Sequence, residues 1–229
     1  MHNSSAHGSG SPITSGPYGR GVLERTRQLW DKQDQHRGDR HRLFTAVAAG
    51  LDAEQVLYPG SYVDIAPSFV WSAVTYVDID RRASQFFADE PGVQELLVDH
   101  GVEPDAHAVR FIAADYSEPL DLDEGEFDLL VSLYAGFISE ACTRYLRIGG
   151  SLLVNASHGD AAMASIDPRY RLSAVVESRS GDYRVTERDL DTYLVPKRDV
   201  EITTEMLHAS GRGIVYTRTP FAYLYTRIA

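Results

Sequence analysis

Apolar residues in this chain recur at two different spacings, and the change between them divides it. From about Gly21 to Gln35, Leu23 and the pair Leu29-Trp30 fall on one face of a helix, with charges on the other. A second helix is predicted from Asp39 as N-cap to Gly50, with Leu43, Phe44, Val47 and Ala48 as its apolar set. After Asp52 short apolar runs take over. EQVLY (54–58), AVTYVDI (73–79), AVRFIAAD (108–115), EFDLLVSL (126–133) and GSLLVNA (150–156) read as buried strands. Helical stretches separate them: RRASQFFAD and VQELLVDHG before the third strand, ISEACTRYL before the fifth. That alternation predicts an α/β, doubly wound and mainly parallel sheet. The last third holds YRLSAVVES, a helix near 200–210, and two runs, GIVYT and FAYLYTRIA, that alternate like an antiparallel hairpin closing the sheet. Pro220 fits the connection between them but not a central strand. The expected sheet thus has seven strands. Residues 1–19, dominated by Ser, Gly, His and Pro, are expected to be a disordered tail. Residues 20–51 then form a helical cap, and 52–229 the sheet domain.

Composition narrows the partners. The chain has 229 residues, 43% of them hydrophobic, enough for one domain with a sizeable core. Its formal charge is −11, from 22 basic against 33 acidic residues, and such a surface repels phosphate backbones. Nucleic acid is therefore a poor partner. A basic cluster near the N-terminus, which includes Lys32, Arg37, Arg40 and Arg42, reads as a solvated helix face. Cys142 is the only cysteine, which excludes an intrachain disulfide and any multi-cysteine metal site. The eight histidines do not cluster at ligand spacing, so no metal is expected. No apolar stretch reaches the roughly 18–20 residues that span a bilayer, and residues 1–21 lack the apolar core of a secretory signal. A cytoplasmic protein is expected.

In a doubly wound sheet, ligands bind beyond the carboxyl ends of the strands, near the switch in strand order. The chemistry-bearing residues fall there: Gly60, Asp78, Asp115, Ser132 and Asn155. Asp78, ending the second strand, is placed to accept two hydrogen bonds from a ribose diol. Ile79 follows in the same turn. Asp80, two residues on, either substitutes for Asp78 or caps the helix that begins near Arg81. Asp115 can accept an adenine amino group with Tyr116 stacking beside it, or can simply form the turn after the third strand. Motifs for a phosphate-cradling NTPase, a nucleophile elbow, a zinc protease or a dinucleotide fold are absent.

The order of these segments resembles the Rossmann-like, class I S-adenosylmethionine-dependent methyltransferases over roughly residues 52–229. QVLYPGS stands where that family has a strand followed by an acidic, glycine-rich loop. VTYVDID matches the strand ending in the ribose-binding acid, and FIAADYSEPL the strand whose acid or neighbour meets adenine. FDLLVSLYAGFI matches the segment facing the reacting methyl group, and YLRIGGSLLVNAS the Leu-x-x-Gly-Gly turn into the fifth strand. The resemblance implies S-adenosylmethionine as cofactor and a small-molecule acceptor. It implies cofactor-binding roles for Gly60, Ser61, Asp64, Asp78, Ile79, Asp115, Tyr116 and Ser132, with Ser132 and Tyr134 near the methyl group. Positioning supplies much of the catalysis of methyl transfer. If a base is needed, His158 in NASHGDA is the candidate, an imidazole being suited to proton removal near neutrality; a surface-loop histidine is the alternative. Asn155 is placed to bond either substrate or loop backbone.

The opening loop, PGSYVDIAPSF, departs from the family. Its glycines should let a backbone approach the cofactor's amino-acid end, but Gly60 stands alone. Tyr58 replaces the strand-end acid, and Tyr62 and Asp64 stand where glycines are expected. Asp64 could pair with the cofactor's ammonium or repel its carboxylate. Two functions follow: a small-molecule methyltransferase with an altered loop, or a methyltransferase-like fold that has lost or replaced its cofactor and acts as a binding or partner protein.

Overall fold

The computed structural model of the chain describes residues 17–103 and 106–229. Residues 1–16 of the expected tail lie outside these. Two helices, α1 (Pro17–Gln33) and α2 (Asp39–Ala48), precede the first strand. Asp39 is the first helical residue of α2, not its cap. Gly38, in the left-handed region at φ 74°, holds the cap position instead, and the Asp39 carboxylate accepts a hydrogen bond from the Tyr183 hydroxyl at 2.8 Å.

Five parallel strands follow: β1 (Gln55–Pro59), β2 (Ala73–Val77), β3 (Ala108–Ile112), β4 (Phe127–Ser132) and β5 (Leu146–Val154). Helices α3 (Arg81–Phe87) and α4 (Glu90–Asp99) connect β2 to β3, and α5 (Ile138–Ala141) precedes β5. After α6 (Asp160–Ile166) come β6 (Tyr170–Arg179) and β7 (Asp182–Thr186), then α7 (Thr204–Ser210) and β8 (Ala222–Arg227). The sheet therefore has eight strands, in the order β3-β2-β1-β4-β5-β8-β6-β7, one more than the sequence predicts. The order reverses between β1 and β4, which makes that crevice the switch point.

The central strands β1, β2, β4 and β5 bury side chains on both faces. Val56, Tyr58, Val74, Tyr76, Leu129 and Val131 share one core with the N-terminal helices, α3 and α4. Leu57, Val77, Leu130, Leu152 and Val154 share the other with α5 and α6. Burial on both sides is why these strands read as continuous apolar runs.

The C-terminal strands are antiparallel, but their pairing differs from the expected one. The hairpin is β6–β7, turned at Ser180 and Gly181, whose positive φ values of 56° and 84° fit a two-residue primed turn. β8 inserts between β5 and β6. Residues 213–217 form no strand; Tyr216 makes a single antiparallel bridge to Pro196. A Cβ on Gly213 would lie 2.0 Å from the Ala156 carbonyl oxygen, so this segment is pressed against the loop after β5 rather than paired with β8. Among the described residues no helix is long and apolar enough to cross a membrane.

The cap is fastened to the sheet domain by polar contacts as well as packing. Asp89, the N-cap of α4, accepts from the Gly92 amide at 3.3 Å and from the buried Thr26 hydroxyl of α1 at 2.5 Å. Asp89→Ala removes both and is expected to lower stability by about 2–3 kcal/mol in urea denaturation, a cap plus a buried hydrogen bond.

Candidate functional site

The carboxyl ends of β1, β4 and β5 carry three tight turns with unusual backbone. Six described non-glycine residues have positive φ, and three of them, Tyr62 (50°), Tyr134 (60°) and His158 (58°), follow β1, β4 and β5. Such conformations cost on the order of 1 kcal/mol or more each and tend to mark functional ends of folds.

The loop after β1 begins as a ligand loop and continues as core. Gly60, at φ 66°, donates its amide to the Val77 carbonyl at 2.8 Å. A Cβ there would sit 2.7 Å from the Ala135 Cβ and 3.6 Å from Tyr116 Cε1. Position 60 therefore needs glycine for both conformation and space. Beyond it Val63, Asp64, Ile65, Ala66 and Ser68 are fully buried, and a single 3-10 turn (Ala66–Phe69) replaces a helix. Strand side chains hold this buried backbone. The Tyr76 hydroxyl donates to the Ile65 carbonyl at 3.2 Å and accepts from the Ser68 amide at 3.2 Å. Trp30 of α1 and His41 of α2 both meet the Phe69 ring edge-on, with centroids 5.4 Å away.

Asp64 is committed within the protein. It accepts from the Tyr58 hydroxyl at 3.2 Å and from the Ala66 amide at 3.3 Å, and Arg40 of α2 approaches it at 3.4 Å (Nε to Oδ2). Burial pushes the Asp64 carboxyl above the usual carboxylate range, against the opposing pull of Arg40. Tyr58 thus stands at the strand end as a donor, its hydroxyl kept protonated by burial. The Arg40 guanidinium also lies over the Tyr134 ring, 4.9 Å from its centroid.

Asp78 lies at the end of β2, half-buried. Its Oδ2 accepts from the Tyr62 amide and its Oδ1 from the Asp80 amide, both at 2.7 Å. One carboxylate thereby sets the turns after both β1 and β2, with lone pairs left for further donors. Asp80 caps α3 through the Arg82 amide at 2.6 Å. Ile79, between them, is 73% exposed. The Tyr62 ring leans towards α3, 5.6 Å from the Arg82 guanidinium carbon.

The remaining candidates divide. Asp115 is exposed and closes its own turn, accepting from the Ser117 amide (2.9 Å) and hydroxyl (2.7 Å). Tyr116, half-buried, accepts from the Gly136 amide at 3.1 Å and so ties the turn after β3 to the turn after β4. Ser61 is buried. Ser132 is buried and directed inward, its hydroxyl donating to Asp160. Asp160 also accepts from the Ser139 hydroxyl at 2.5 Å, and burial pushes its carboxyl up to about 6. Asn155 takes the backbone option: its Oδ1 accepts from the amides of Tyr134 and Ser157, each at 3.3 Å. His158 is exposed, with Nδ1 2.6 Å from the Ser157 hydroxyl oxygen. Tyr134 is 53% exposed. No cluster of potential metal ligands exists among the described residues. The parts unseen in the sequence are Arg40, which its helix spacing disguises as a surface charge, and Asp160, for which no local pattern signals a buried acid.

Gly60→Ala is expected to cost about 2–4 kcal/mol by chemical denaturation, from positive φ together with the clash at Ala135. Asp160 binds protons more tightly folded than unfolded between about pH 4 and 6. Its contribution to stability is therefore largest below pH 4 and falls as pH rises to 6, by up to about 3 kcal/mol. The difference in unfolding free energy between Asp160→Asn and the parent, measured from pH 4 to 7, should shift in the variant's favour across that window.

No family model matches the chain, and no curated protein matches it in sequence. Solved structures do resemble it. The YcgJ protein from Bacillus subtilis is 20% identical with a TM-score of 0.37, and the likeness spans 53% of each chain. A putative O-methyltransferase from Klebsiella pneumoniae is 14% identical over 95% of this chain and 92% of its own, with a TM-score of 0.47. The 1,6-didemethyltoxoflavin-N1-methyltransferase of Burkholderia thailandensis, solved with S-adenosylhomocysteine, is 16% identical over 96% and 94%, with a TM-score of 0.38. Five parallel strands that reverse order between β1 and β4, followed by antiparallel C-terminal strands, give this chain a doubly wound, Rossmann-like α/β fold.

Proposed function

We propose that the chain is an S-adenosylmethionine-dependent methyltransferase acting on a small molecule. The observation that carries the reading is Asp78, a half-buried carboxylate at the end of β2 beside the switch point, fixed by two backbone amides. A carboxylate so oriented is ready to accept both hydroxyls of a ribose. The exposed Ile79 side chain next to it offers an apolar surface to a base, and Asp115 is exposed for an exocyclic amine. The adenosyl half of the cofactor therefore fits. The amino-acid half fits less well, because Asp64 is buried and already faces Arg40 and Tyr58. Of the backbone amides in the Gly60–Tyr62 turn, those of Gly60 and Tyr62 are engaged by Val77 and Asp78, so its contacts fall to the amide of Ser61.

The bound cofactor would supply an activated methyl group on a sulfonium. The chain's own work is then to orient the acceptor and manage one proton. Tyr134, carried on a positive-φ backbone braced by Asn155, is placed to orient the acceptor. His158 has Nδ1 engaged by Ser157, which leaves Nε2 to take a proton from the acceptor.

A second reading has its own observation. The buried loop and the committed Asp64 favour a fold that has replaced its cofactor and acts by binding. Calorimetry with S-adenosylmethionine and S-adenosylhomocysteine separates the two. The enzyme reading expects binding by both, weakened more than tenfold by Asp78→Ala and less by Asp78→Asn, which retains a hydrogen-bonding group. Absence of heat and of thermal stabilisation at millimolar ligand overturns it and leaves the binding-protein reading.

A further inference from the structure

A cavity of about 230 Å³ lies between the α1–α2 turn and the turn after β4, walled by Lys32, His36, Arg40, Tyr134 and Phe221. It is smaller than the pockets of drug-sized ligands, but a 150 Å³ cavity already accepts a benzene ring. Its size suits one substituted ring.

The charge inside it is what identifies the ligand. Arg40 is largely buried, its side chain 15% exposed, yet among the described residues its guanidinium donates no hydrogen bond. Its one charged partner, Asp64, meets it through Nε at 3.4 Å. The two terminal nitrogens, which match a carboxylate in bidentate geometry, are left without a partner. The guanidinium carbon lies over the Tyr134 ring, 4.9 Å from its centroid. Lys32 adds a second cation and has no ion-pair partner among the described residues. Of the two acids of the cavity wall, Asp39 is ion-paired, and Asp34 keeps its charge while bound to backbone. Both oxygens of Asp34 accept from the Gly38 amide at 2.8 Å. Asp39 accepts from Tyr183 and pairs with Arg42 at 3.4 Å. Tyr134 and Phe221 supply flat apolar walls.

We infer that this cavity binds the acceptor, and that the acceptor is a small planar organic acid whose carboxylate is held by Arg40 and Lys32. The inference rests on the methyltransferase reading for the word acceptor, but the pocket is tested without the cofactor. The carboxylate anchors one end of the molecule against Arg40 and turns its other end outwards along Tyr134.

Titration calorimetry of the full chain with benzoate, benzamide and benzylamine tests the charge preference. Benzoate should bind at least tenfold more tightly than its neutral isostere benzamide, and benzylamine should not bind. Arg40→Gln should abolish the benzoate heat. Because that variant also removes the partner of Asp64, the exposed Lys32→Ala and the Tyr134→Ala substitutions serve beside it, each expected to weaken benzoate by threefold or more with the unfolding midpoint retained. Equal affinity for benzoate and benzamide, a preference for benzylamine, or indifference to both Lys32→Ala and Tyr134→Ala overturns the inference. S-adenosylhomocysteine binding is read separately. Benzoate binding without it keeps the pocket and removes the methyltransferase reading, whereas the reverse removes the pocket alone.

Discussion

The guanidinium of Arg40 and the carboxylate of Asp64 meet where water hardly reaches, and the ligand end of the sheet is arranged around that meeting. Bringing either charge there alone would be prohibitive; together they are tolerable because each screens the other. The pair joins α2 to the loop after β1, and through the Tyr58 hydroxyl it reaches the end of the first strand. Through the stacked ring of Tyr134 it also reaches the turn after β4. Three separate elements are thus held in register by one cation. A buried pair of this kind need not add net stability, since an apolar replacement often does as well. What it adds is a fixed relation between the cap and the crevice.

That relation changes what the loop after β1 is for. In a sheet of this type the loop would lie open to a ligand, with glycines clearing a path. Here only Gly60 and Tyr62 of its first turn reach the surface, each in part, and Val63 to Phe69 pack beneath the cap. The burial is affordable because β2 satisfies the buried backbone with Tyr76 and the exposed turn with Asp78. The tyrosine at position 62 does not need to block the crevice, because its ring lies towards Arg82 and α3. The β2 end thus presents a half-buried acid, Asp78, and the β1 end meets a cation, Arg40, brought by α2.

The parallel strands were legible because burial on two faces writes them as unbroken apolar runs, as in QVLY and DLLVS. The role of Asp80 as a cap was legible for the same kind of reason, since a cap and its helix are local. Residues 213–217 were not. Alternation in GIVYT specifies an extended chain but not its partner, and the contact of Gly213 with Ala156 drew it to the β5 loop instead of β8. The extra strand β7 was hidden because DYRVT covers only one side of an edge and carries charges there. Arg40 was hidden for a deeper reason. A charged residue on an amphipathic helix looks solvated in any local window, and its partner lies on another element. Long-range pairing of single charges leaves no periodic trace, and the same is true of Asp160 with Ser132 and Ser139.

The backbone itself bears on whether this end of the sheet still serves a ligand. Tyr62, Tyr134 and His158 each hold a conformation that glycine would adopt at no steric cost. If these turns served packing alone, glycine would be the more stable choice at all three. The side chains are instead carried in strained turns around one crevice, two of them braced by the same Asn155 oxygen. Strain of this kind persists only where surrounding contacts over-determine it, and it places a phenol and an imidazole more rigidly than a relaxed loop could. Asp78 braces the third turn from β2. Tyr134 and His158 are thus held on rigid supports at the carboxyl ends of β4 and β5, and Arg40, whose guanidinium donates no hydrogen bond among the described residues, lies over the Tyr134 ring.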